Sequence, residues 1–96
     1  MADMSDVTTV WVFNGATARF PSAVFSNKES ATLWIKQHGL SGVLTRYPVD
    51  QSVYDWATER GHFVPSKEVH RTGEFIGKFT TGSQEHYHFE EGIEGG

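Results

Sequence analysis

Thr8 to Phe13 reads Thr-Thr-Val-Trp-Val-Phe, and no other run constrains the fold of this chain as much. Every position is β-branched or aromatic, which suits an extended strand. Side chains alternate across a strand, so Val10 and Val12 share one face and Trp11 and Phe13 the other. Neither face is polar, so the strand is expected inside a sheet and covered on both sides. Asn14-Gly15 follows and predicts a turn. A second strand is expected over 17–25. Pro21 falls within it and has no N–H for a ladder, which places this strand at an edge or a bulge.

The next signals are helical. Ser26-Asn27-Lys28-Glu29 has the capping-box pattern, with Ser26 as N-cap and Glu29 three residues on. Ala31, Trp34, Ile35 and His38 then share one helical face, and Gly39 closes the helix. A third strand is expected over 40–49. A second helix over 51–60 is expected with Asp50 as N-cap and Gly61 as its end. Residues 62–71 carry no clean period. Phe75, Ile76 and Phe79 suggest a short helix over 73–80, with a strand as the alternative, and residues 84–91 suggest a last strand. The order β-β-α-β-α-(α)-β predicts one small α+β domain over residues 8–91. A mixed sheet of about four strands would carry its helices on one face. Residues 1–7 and 92–96 read as flexible tails.

Composition narrows the function classes. At 96 residues the chain suits one domain, with 3 Trp, 3 Tyr and 7 Phe to fill its core. The absence of Cys excludes disulfides, thiolate metal sites and a Cys nucleophile. The opening Met-Ala-Asp-Met-Ser-Asp has neither the basic start nor the apolar run of a signal peptide. No apolar run approaches the roughly 18 residues of a membrane span. These features predict a cytoplasmic protein that does not bind membranes. The net charge is −4, with Lys and Arg scattered, which argues against nucleic acid and for a basic protein partner.

Gln84-Glu85-His86-Tyr87-His88-Phe89-Glu90 is the only local arrangement suited to chemistry. On a strand, His86, His88 and Glu90 line one face, and Tyr87 and Phe89 point into the core. Two imidazoles about 7 Å apart along a strand are candidate ligands for zinc, with Glu90, His62 or His70 as a third. The bland alternative is the solvated side of an edge strand. No nucleophile elbow or phosphate-cradling glycine loop is present, so no catalytic residue is assigned. Arg19, beside Phe20 and Pro21, is a second candidate docking point, against the simpler reading of an edge guarded by Pro. The three Trp are expected in the core rather than around a ligand.

Several segments together resemble a family of short bacterial domains of unknown function. They are Trp11-Val-Phe-Asn-Gly, Ala18-Arg-Phe-Pro-Ser-Ala-Val-Phe25, Trp34-Ile35 and Gly42-Val-Leu-Thr-Arg-Tyr-Pro-Val-Asp50. Tyr54-Asp-Trp-Ala57, Phe75-Ile-Gly-Lys-Phe79 and Gln84-Glu-His-Tyr-His-Phe89 complete the set. The resemblance spans residues 8–92. It brings no activity with it, and implies a candidate immunity or accessory protein. The expected function is a small non-catalytic interaction module without a cofactor. Its surface would be Glu85, His86, His88 and Glu90, with Arg19 as a further contact. A metal-binding protein or metal-dependent hydrolase using His86 and His88, with zinc as the ion, is the alternative. Oligomeric state is not readable from the sequence.

Overall fold

The apolar run at the start of the chain becomes β1 (Thr9–Gly15), with a neighbouring strand on each side. On one side lies the short β2 (Ala23–Phe25), and on the other β3 (Gly42–Pro48) pairs along its full length. β4 (His86–Glu90) follows, then β5 (Ile93–Gly95), giving the order β2-β1-β3-β4-β5. This is a computed structural model, and it describes residues 8–95. The expected tail over 1–7 lies outside the described residues.

The α+β class stands, but every strand pair is antiparallel rather than mixed. β2 and β3 do run in the same direction and are linked through a helix. β1 lies between them, so no parallel pair forms. The stretch read as a C-terminal tail supplies a fifth strand. Glu91 (φ 49°) and Gly92 (φ 83°) make the two-residue turn into it, both in the left-handed region that such hairpins use. The Gly92 N–H donates to Leu40 O (2.8 Å) and the Glu91 N–H to Ser41 Oγ (2.9 Å). A Cβ on Gly92 would sit 3.1 Å from Gly39 Cα, so the turn rests directly on the C-terminal end of the helix over Lys28–Gln37.

Asn14-Gly15 is not the turn that its sequence predicts. Both residues stay in β1, opposite Val43 and Gly42, and the chain reverses over 16–22. Gly42 explains why. A Cβ there would collide with Asn14 O and stand 2.9 Å from Gly15 Cα. Gly42 therefore lets β1 and β3 approach closely at this end of the sheet.

Helix α1 (Lys28–Gln37) is capped by Asn27 rather than Ser26: Asn27 Oδ1 accepts from the Ser30 N–H at 2.7 Å. Gly39, at φ 61°, ends the helix as its position predicts. Its buried residues Ala31 and Ile35 lie on Trp11, Phe13, Leu44 and Phe89, with Trp34 and Phe25 at the margin. Helix α2 (Val53–Glu59) starts later than expected. Ser52 caps it, and Asp50 sits before it in a left-handed turn at φ 61°. The unassigned loop contains a 3-10 turn over Glu68–Arg71, followed by the short helix α3 (Gly73–Gly77). These pieces form a second aromatic cluster, in which Tyr54 meets Phe63, Phe75 and Phe79 at ring-centroid distances of 5.6–6.3 Å. Among the described residues no helix is long and apolar enough to cross a membrane.

Candidate functional site

The register of the sheet sorts the chemistry onto two faces. Trp11 lies opposite Arg46, Phe13 opposite Leu44, and Leu44 opposite Tyr87. These residues share the face that α1 covers. Val12 lies opposite Thr45 and Val24, Thr45 opposite His86, and Val43 opposite His88. These share the other face, which is open. Val24 is 64% exposed and Ile93 70%, while His86, His88 and Glu90 are exposed. Val10, Val12, Val43, Thr45 and Tyr47 are only half-buried, so β1 is not covered on both sides as its composition predicts.

Three expected surface residues therefore stand together and two do not. His86, His88 and Glu90 alternate onto the open face. Glu85 lies on the opposite one, where its carboxylate pairs with Arg46 Nη1 at 3.1 Å and accepts from the Tyr87 hydroxyl. Arg46 Nε also donates to Thr9 Oγ1 at 2.9 Å, and the Lys28 ammonium sits 3.5 Å from the Tyr87 ring centroid. The Tyr87 hydrogen bond, aided by Arg46, holds the Glu85 carboxyl below its ordinary pKa. The same bond pushes the Tyr87 phenol up. Glu85 is thus an exposed anion, engaged with Arg46 and Tyr87, that links β1, β3 and β4 on the face opposite the histidines. Arg19 lies in the loop before β2, its guanidinium 5.8 Å from the Phe20 ring centroid. Arg19 is thus carried by the loop that joins β1 to β2, whereas the histidines are on β4, with β3 between β1 and β4.

The histidine pair has a defined geometry. The ring centroids of His86 and His88 are 5.3 Å apart, with planes at 79°. His86 Nδ1 lies 2.7 Å from Gln84 O. A carbonyl only accepts, so this contact places the proton on Nδ1 and leaves the Nε2 lone pair free in the neutral ring. Gln84 is itself buried, and its Nε2 donates to Arg46 O at 3.0 Å, which fixes the carbonyl that orients His86. Among the described residues no group of three His, Cys, Asp or Glu gathers to hold a metal. His62 stacks near Trp56, and His70 Nδ1 accepts from the backbone of Ser66 and Lys67, so neither joins the pair.

A cleft of about 420 Å³ borders His86 on the open face, between Thr45 and Tyr47 and the 80–82 loop. The Thr81 hydroxyl in its wall donates to Ser83 Oγ and accepts from the Ser83 N–H, so it is engaged within its own loop. Nothing there pairs an activated nucleophile with a base. The valines and Tyr47 of this face were not among the residues singled out in the sequence. Alternation in β1 and β3 separates them from the core set, but only the register shows that Val43 is the one beside His88, with Val12 and Val24 beyond it on the same face.

The profile described as Domain of unknown function (DUF7710) matches residues 10–95. No curated protein and no solved structure matches the chain. The matched region runs from β1 through β5 and takes in both sheet faces, and the chain belongs to this family of domains of unknown function.

Proposed function

We propose that this chain is a non-catalytic protein-binding module, working in the bacterial cytoplasm, whose docking surface is the open face of the sheet. The observation that carries this reading is the composition of that face. Val10, Val12, Val24, Val43 and Tyr47 form an apolar centre, and His86, His88 and Glu90 edge it. None of its strand positions carries Lys or Arg. Glu90 and the neighbouring Glu91 are exposed at one end and Asp50 at the other, on a chain of net charge −4. An apolar centre between acidic ends suits a partner that presents an apolar patch flanked by Lys and Arg. An immunity or inhibitor-type accessory protein that neutralises a basic effector fits this surface.

The test is affinity capture from the native host, comparing wild type with Val24→Asp and with the triple variant His86→Ser/His88→Ser/Glu90→Ser. All four residues are exposed, so circular dichroism should show both variants folded. The expected result is a basic protein recovered by wild type, lost from both variants and released by raised salt. Equal recovery by folded variants, or recovery of an acidic protein that resists salt, overturns the proposal.

A further inference from the structure

We infer that His86 and His88 form a two-imidazole chelate for a late first-row divalent metal ion, zinc being the probe of choice. Three observations converge on it. The first is separation. A metal–nitrogen bond of about 2.0–2.1 Å puts each ring centroid about 3.2 Å from the ion, so two imidazoles in tetrahedral array have centroids about 5.2 Å apart. The observed separation is 5.3 Å. The separation matches the one a shared ion requires, and the rings lie closer than the roughly 7 Å between alternate strand residues.

The second observation is the tautomer. A histidine that binds metal generally donates its other ring N–H to a carbonyl or carboxylate, which fixes the ring and leaves one lone pair for the ion. His86 makes that contact to Gln84 O at 2.7 Å, and buried Gln84 is anchored to Arg46 O. The third is access. Both rings are exposed on the open face, and β3 and β5 offer only Val43, Thr45, Tyr47, Ile93 and Gly95 there. Glu90 is the one charged side chain at these strand positions, so no Lys or Arg repels a cation. With no third protein ligand among the described residues, the remaining positions belong to water. This is an open site able to exchange its ion, unlike the closed four-ligand sites that hold a fold together.

The inference stands apart from the docking proposal, because it is tested on the isolated protein. Titration calorimetry with zinc chloride at pH 7.5 should show one ion per chain. His86→Ala and His88→Ala should each weaken binding at least tenfold, while His38→Ala leaves it unchanged. Lowering the pH to 5.5 should also weaken it, because protons compete for both imidazoles. Long-range proton–nitrogen NMR supplies an independent readout. Metal-free His86 should carry its proton on Nδ1, and zinc should shift the His86 Nε2 resonance together with a ring nitrogen of His88. Absence of zinc binding, or zinc shifts at His38, His62 or His70 with His86 and His88 unmoved, overturns the inference. Zinc binding with partner capture unimpaired in the histidine variants would contradict the docking proposal alone.

Discussion

Gly42 is the residue on which the pairing of the central strands depends most directly. Its missing side chain makes room for the backbone of Asn14 and Gly15. Gly42→Ala should cost on the order of 1–3 kcal/mol, the range for forcing extra volume into a packed site. Urea unfolding measures this, and a loss below about 0.5 kcal/mol, typical of a free surface, would show that the strands can part without cost. Glu85 gives a pH-dependent counterpart. Its carboxyl is held below the ordinary value of 4.5, so it stabilises the fold above that pH. This contribution is lost as pH falls through the folded-state value. Glu85→Gln should therefore flatten the decline in unfolding free energy below pH 4.5. The effect is small, because exposed pairs contribute about 0–1 kcal/mol. Coincident acid limbs for the two proteins would contradict the account.

Helix α1 starts where Asn27, not Ser26, meets the orphan amide of Ser30. Asn27→Ala should thus destabilise by about 1 kcal/mol. Ser26→Ala should stay within about 0.5 kcal/mol. Thermal unfolding of the two variants decides between the caps, and the reverse ranking would restore the Ser26 capping box. Ser and Asn are both strong N-caps and stand side by side, so composition alone does not choose between them. Trp11 and Phe13 were legible as core because nothing but burial accommodates them in alternation with valine. The last strand was legible for the same reason, through Tyr87 and Phe89. β5 was not, because Glu at a left-handed turn position goes against its propensity. Contacts of the turn with Leu40, Ser41 and Gly39 hold it there. Those contacts join residues some fifty positions apart, which no local pattern records.

At the scale of the whole molecule, one helix covers one side of a five-stranded sheet and leaves the other side half-exposed. The histidines were visible in the sequence as a pair on one face, but not their setting. Strand order decided that Val43 and Thr45 of β3 adjoin them, while Val12 and Val24 lie farther across the same face. Glu85 was separable by alternation alone, since it is one residue from His86 and two from Tyr87. The central claim is that this open face, and not the loop before β2 or the outer side of α1, meets the partner. Hydrogen–deuterium exchange on the captured complex tests it most directly. The account predicts new protection over 43–47 and 86–90, with residues 16–22 and the α1 amides unchanged. Protection confined to 16–22 or α1, with the open face exchanging as in the free protein, would contradict it.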